Sequence, residues 1–273
     1  MTKRTGTVAR PRSAKVNSMC ALWCVAVLSV GIVHAQAPPP GRGVNFFSKE
    51  REIELGQQLS AEFRKTAMPL DDAEVGGYVQ RVGARLAAQF PPEWTYEFET
   101  VRGPSSVPTH EPAAFPGGFV FVSTDLILAA RNEDEFAGML AHAMAHVAAR
   151  HATRLAAKSQ IGLIGAPARG ANGPALALHL GLLTFQRANE READYLAVQA
   201  MSAAGYDPAS LASYIERVQP AAEEGTLVSQ PMPSRDQRVS AIRDAIGKLP
   251  RTHLRDQRRV RPHPGISEIP LKT

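Results

Sequence analysis

Residues 132–157, NEDEFAGMLAHAMAHVAARHATRLAA, carry the strongest structural signal in the chain. Asn132, with Glu135 three residues later, has the pattern of a capping box, and the residues that follow predict one long helix ending near residue 157. His142 and His146 stand four residues apart, so they lie on one face of that helix, one turn apart. Both rings can therefore reach a single zinc ion, although a histidine pair at this spacing is also common without a metal.

A second polar pair occurs in EREAD, residues 190–194. Glu190 and Asp194 share one face of a predicted helix. A carboxylate from a second helix would complete the two-histidine, one-glutamate ligand set of catalytic zinc sites, with Asp194 placed to orient one histidine from behind. Taken alone, the same pair is also typical of a charged, solvated helix face.

The remaining periodicity predicts an α+β fold that is mainly helical, since strands and helices do not alternate as in parallel β/α proteins. Ser48 is a plausible cap for the first helix, and Thr124 or Asp125 for a short later one. Strands are predicted at 96–101 and 119–122. Further helices are predicted at 47–65, 70–89, 174–204, 208–218 and 234–249.

Residues 1–35 have the features of a secretory signal peptide. Five basic residues precede an uncharged apolar run at 19–33, and Ala35 and Ala37 supply small residues for cleavage. We therefore expect an exported protein, periplasmic or secreted, with an uncleaved inner-membrane anchor as the alternative. A linker at 36–46, a domain at 47–250 and a flexible basic tail at 251–273 follow.

The charge of the chain gives no case for nucleic-acid binding. Of the 31 basic residues five belong to the predicted signal, which leaves 26 against 26 acidic residues. The arginines of the tail can contact acidic lipid or protein, although most such runs are simply solvated. Both cysteines, Cys20 and Cys24, also fall in the signal, so a metal site in the mature chain must use histidine and carboxylate ligands.

Several segments together resemble metallopeptidase family 48, the group of HtpX-like, BepA-like and CAAX-prenyl-protease-like enzymes, and most of all its secreted periplasmic branch. The matching segments, in family order, are FPGGFVFV at 115–122, NEDEFAG at 132–138, the two histidines, the EREAD segment, GYDP at 205–208 and Arg238. The resemblance extends from about Phe47 to Ile242, which is most of the predicted mature chain. The resemblance implies a zincin-type domain with a small β-sheet edge beside the histidine helix.

The resemblance also implies roles for individual residues. His142, His146 and Glu190 match the family's zinc ligands, and Asp194 matches the carboxylate behind the first histidine. One zinc ion per chain is the implied cofactor. The implied partners are unfolded or envelope polypeptides in protein quality control.

The chain departs from the family pattern at three places. The family has a glutamate, its general base, where this chain has Ala143, and it often has a histidine near the metal where this chain has Met232. The family's substrate-binding edge strand corresponds here to Pro112, Ala113 and Ala114, and Pro112 removes one backbone donor. Because alanine can neither take a proton from water nor pass one on, little or no peptidase activity is expected.

Glu111 and Glu192 are the candidates for a substitute base, but Glu192 is expected to face away from Glu190. The spacing excludes the HExxHxxGxxH type of metalloprotease, because Ala149 and Ala152 occupy its glycine and third histidine positions. His151 is therefore interpreted as a helix-end histidine without a ligand role.

Three hypotheses follow. The first is a zinc-binding pseudo-peptidase that binds polypeptides without cutting them. The second is a weak but active zinc endopeptidase with a substitute base, and the third is a binding scaffold that has also lost the metal.

Overall fold

Eight α-helices and four short strands make up the described part of the chain, residues 45–102, 110–164, 187–219 and 233–250 of this computed structural model. The helices are α1 (Lys49–Thr66), α2 (Ala73–Ala87), α3 (Thr124–Ala129), α4 (Glu133–Ala148), α5 (His151–Ile164), α6 (Arg187–Ala204), α7 (Ala209–Val218) and α8 (Arg235–Gly247). The strands are β1 (Met68–Pro69), β2 (Glu97–Arg102), β3 (Ala113–Phe115) and β4 (Phe119–Ser123). The predicted α+β, mainly helical class is confirmed.

The four strands form one mixed sheet in the order β1-β2-β4-β3. Strands β2 and β4 run parallel, with Phe98 opposite Val120, and β3 returns antiparallel to β4, with Ala114 opposite Val120. Strand β3 therefore ends the sheet on the side where it contacts α4. The small sheet edge expected beside the histidine helix is present.

The predicted helix caps are confirmed only in part. Ser48 caps α1 as predicted, and Ser234, which was not predicted as a cap, forms a full capping box with Gln237 at the start of α8. Asn132 accepts from the Glu135 amide, but the Glu135 carboxylate accepts from the Arg131 amide, so the predicted box is only half formed. Ser123 caps α3, so the choice of Thr124 or Asp125 was wrong by one or two residues.

Helix α4 is the centre of the hydrophobic core, and all of its residues except Asp134 are buried. It packs against α6, α7, α2 and β3. A Cβ at Gly138 would lie 3.1 Å from the Leu211 side chain, so this glycine allows α7 to approach closely. The two histidines consequently stand inside the fold, on a helix that its neighbours hold on every side.

The single long helix predicted up to residue 157 is in fact two helices. Helix α4 ends at Ala148, Arg150 has a φ of 57°, and α5 begins at His151. A left-handed conformation costs a non-glycine residue about 1 kcal/mol or more, so tertiary contacts must stabilise it. The Arg150 side chain supplies them, since it donates to buried Glu52 at 2.7 Å and to the Phe47 carbonyl at 2.6 Å.

Helix α1 packs directly on the tight turn Pro116–Gly118 that joins β3 to β4. A Cβ at Gly56 would lie 1.8 Å from the Pro116 carbonyl oxygen, a distance that no real contact permits. We expect Gly56→Ala to lower the free energy of unfolding by about 1–3 kcal/mol, because the helix must move away from the turn.

Gly76→Ala in α2 is the matched control, because a Cβ there meets no atom within 4 Å. Alanine at an unobstructed helix position is expected to raise the free energy of unfolding by up to about 1 kcal/mol. Urea unfolding of both variants checks the two signs. Equal stabilities of the two variants would contradict the close packing of α1 on this turn.

The predicted signal peptide (1–35), most of the linker (36–46) and the basic tail (251–273) lie outside the described residues, so these boundaries stay predictions. Within the described ranges, no helix combines the length and the apolar character needed to span a membrane.

Candidate metal centre

Two helices bring three potential metal ligands together. His142 and His146 project from α4, with 3.1 Å between their Nε2 atoms, and Glu190 projects from α6. The Glu190 oxygens lie 3.4 Å from each histidine Nε2. One ligand atom from each of the three residues falls within 4.8 Å of the others, so the group could hold one metal ion.

The surroundings of the Glu190 carboxylate favour a bound cation over a purely structural role for this residue. Its side chain is 1% exposed, and neither oxygen has a hydrogen-bond partner among the described residues. A buried carboxylate without hydrogen bonds is unfavourable unless a positive charge compensates it, and here Arg238 at 3.9 Å, His142 when it is protonated, or a cation bound between the three residues can supply that charge. Two histidines and one carboxylate with buried, converging atoms match the ligand set that zinc takes in open catalytic sites.

Asp194 stands behind the first histidine, where the family resemblance implies a carboxylate. Its Oδ1 lies 2.9 Å from His142 Nδ1, and Arg238 on α8 donates to both of its oxygens at 2.8 and 3.0 Å. When His142 Nδ1 donates to Asp194, the Nε2 atom is left as the ligand atom. Asp194 and Arg238 therefore set the orientation of the His142 ring.

The charges around His142 determine its protonation. Burial lowers the pKa of the ring and Arg238 lowers it further, but Asp194 and Glu190 outweigh both and raise it to about 9. Burial would raise the pKa of Asp194, yet Arg238 and His142 lower it to about 2, so this carboxylate is ionised at neutral pH. Because a ligand histidine must be unprotonated on its coordinating nitrogen, binding of a cation at neutral pH releases a proton.

The pKa of His146 is shifted in the opposite direction from that of His142. Burial lowers its pKa well below the usual value, and the neighbouring rings of His142 and His151 lower it further. Its ring is therefore neutral at neutral pH and needs to lose no proton to bind a cation.

Ala143 follows the first histidine and offers only a buried methyl group to the site. Of the two candidate substitutes, Glu111 is at the rim: its Oε1 lies 3.4 Å from Arg238 Nη1, and its side chain is 44% exposed. Glu192 is turned toward α5, where it contacts His151 and Arg154.

The predicted substrate edge lies next to the histidine helix. Ala113 and Ala114 are half-buried residues of β3, and Pro112 immediately precedes the strand. A small cleft is bounded by Ala114 of this edge and by His146. Met232, the residue predicted in the loop near the metal, lies outside the described residues.

The sequence did not indicate that His151 contacts the candidate metal centre. It is fully buried, with Nδ1 2.9 Å from His146 Nδ1 and Nε2 3.1 Å from Glu192 Oε2. On a continuous helix, five residues would separate the two side chains by about 140° around the axis. The break at Arg150 brings the two side chains together. The contact could have been predicted from the sequence only if a break in the helix at this position had been predicted first.

Comparisons with known proteins agree with this geometry. The model of peptidase family M48 matches residues 69–246, which include all three potential ligands. The chain is 26% identical to a beta-barrel assembly-enhancing protease of Yersinia pestis, over 87% of this chain and 51% of the relative. It is 33% identical to the mitochondrial metalloendopeptidase OMA1 of Schizosaccharomyces pombe, over 62% of this chain and 49% of the relative.

A beta-barrel assembly-enhancing protease of Escherichia coli K12 is 24% identical, over 62% of this chain and 37% of the relative. The chain thus spans about half or less of the length of these relatives.

Proposed function

This chain belongs to peptidase family M48, a family of metal-dependent peptidases, and from that premise we propose that it is an exported zinc-binding protein in which peptide hydrolysis is lost or strongly impaired. It binds unfolded polypeptides of the cell envelope in the cleft where an active relative would cut them. The predicted signal peptide at 1–35 supports export.

The proposed zinc binding rests mainly on the position of the Glu190 carboxylate. It is buried without a hydrogen bond among the described residues and faces the Nε2 atoms of His142 and His146. Bound zinc supplies Lewis acidity toward a peptide carbonyl and an attacking water. The chain's own part is to hold the two rings, with Asp194 and Arg238 orienting the first.

The proposed loss of peptide hydrolysis rests on the residue at position 143. Peptide hydrolysis needs a group that removes a proton from water and delivers one to the leaving amine, and a positioned carboxylate contributes about 100- to 10,000-fold. The methyl group of Ala143 can do neither. Since the missing glutamate is not a ligand, its loss leaves the metal site intact.

A second candidate function is a weak zinc endopeptidase with Glu111 as the base. The placement of Glu111 at the rim, in contact with the same Arg238 that lies 3.4 Å from His142, favours this alternative over one that uses Glu192. Because Glu111 is 44% exposed at the rim and its carboxylate already pairs with Arg238, we place this alternative second.

Polypeptide binding is tested with fluorescently labelled, unfolded casein and the zinc-loaded protein. We expect a saturable rise in fluorescence anisotropy while the casein stays intact on a denaturing gel, because among the described residues β3 is the last strand of the sheet, and an extended peptide can add to such an edge. A folded protein of similar size should not compete. Absence of saturable binding at high protein concentration would contradict the proposed binding function.

A further inference from the structure

The second histidine of the centre is supported by a chain of polar contacts that begins at α5 and is only partly exposed, at Glu192. His151 Nδ1 lies 2.9 Å from His146 Nδ1, and His151 Nε2 lies 3.1 Å from Glu192 Oε2. Arg154, one turn along α5, donates to the same Glu192 oxygen at 3.2 Å. The series Arg154, Glu192, His151, His146 therefore leads without interruption to the candidate metal ligand.

The donors and acceptors of this chain have one consistent assignment. Glu192 can only accept when ionised, so His151 must donate to it from Nε2. A neutral His151 then accepts at Nδ1, and the partner atom, His146 Nδ1, must carry the hydrogen. That tautomer leaves His146 Nε2 with its lone pair directed toward His142 and Glu190, where a metal would bind.

The two histidines of the centre thus have separate but equivalent supports. Asp194, paired with Arg238, holds His142 by its Nδ1 atom. His151, paired with Glu192, holds His146 by its Nδ1 atom. Each support ends in an arginine, so the negative charge behind each ring is itself compensated.

We propose that His151 is the positioning residue for His146: with Glu192 and Arg154 it fixes the tautomer and ring orientation that allow His146 to bind zinc. This inference rests on the proposed zinc-binding function and adds to it a role for three residues outside the ligand set. Partners of this kind commonly contribute about 10- to 100-fold to metal affinity.

The test uses the full mature chain, made metal-free and then titrated with Co²⁺ and, by competition with a chromophoric chelator, with Zn²⁺. We expect His151→Leu to weaken both metals about 10- to 100-fold and to change the visible absorption of the Co²⁺ form. His151→Asn is the conservative partner, because its side-chain oxygen can take the place of Nδ1 as acceptor. It should recover most of the affinity and the wild-type spectrum.

Glu192→Ala covers the case in which a change at fully buried His151 prevents folding, because Glu192 is partly exposed. It should weaken metal binding less than His151→Leu, and the double variant should be no weaker than His151→Leu, since both act through one chain. Thermal unfolding of the metal-free proteins identifies variants that do not fold.

Unchanged Co²⁺ spectra and affinities in folded His151→Leu and Glu192→Ala proteins would overturn the positioning role and leave the proposed zinc site standing. A wild-type protein that binds neither metal would overturn both.

Discussion

Ala143→Glu is expected to raise casein cleavage by the zinc-loaded protein about 100- to 10,000-fold, the usual contribution of a positioned general base. The reason is that the rest of the described centre is in place: the three potential ligands converge, and Asp194 and Arg238 support the first ring. Residue 143 is on α4 between the two histidines, so a carboxylate there is carried by the same rigid helix. Release of peptides from unfolded casein measures the effect.

Ala143→Gln is the matched control, since glutamine has the size of glutamate without its basicity. It should stay as inactive as the natural chain. Combining Ala143→Glu with His142→Ala should abolish the gain. If Ala143→Glu binds zinc but does not cleave casein, the missing base is not what limits hydrolysis, and Pro112 at the substrate edge becomes the next residue to change.

Glu190→Gln is expected to weaken zinc binding by more than about 100-fold, because it removes a ligand itself and partners behind the ligands already contribute 10- to 100-fold. The two side chains have nearly the same volume, so the fold should remain. At free zinc 100 times the wild-type Kd, the metal should stabilise the wild type by about 2.7 kcal/mol. For a domain of this size that is a Tm increase of about 5–10 °C, which the variant should lack.

The control for this change is Glu216→Gln on α7, where the side chain is 55% exposed and pairs with Arg243 at the surface. It should keep the full zinc-dependent increase in Tm. An equal increase in wild type and Glu190→Gln would show that zinc binds elsewhere in the chain.

Local sequence patterns together with the family resemblance named the residues that the structure brings together in the candidate site. The spacing of His142 and His146 identified one helix face, and the resemblance to the family linked it with Glu190 and Asp194. The capping residue Ser48 and the apolar run of β4 were also predictable, since both depend on neighbours a few residues away. The polar residues of the candidate centre could thus be named from the sequence, whereas the distances between them required the structure.

The break between α4 and α5 could not be predicted, because its cause is distant in sequence. Ala149 and Arg150 are good helix formers, and the left-handed turn at Arg150 depends on Glu52, a buried residue 98 positions earlier. The contact of His151 with His146 follows from that turn. Strand β1 was also missed, because its two residues are too few to show a pattern and are identified as a strand only by their pairing with Arg102 and Val101.

The most direct test of the central claim is a measurement on the natural chain alone: its zinc content and its cleavage of unfolded casein, determined on the same sample. A zinc-holding centre without a base predicts one zinc per chain and no peptide release above that of a chelated sample. Zinc-dependent cleavage that disappears in both His142→Ala and Glu111→Gln would contradict the claim and identify Glu111 as the substitute base.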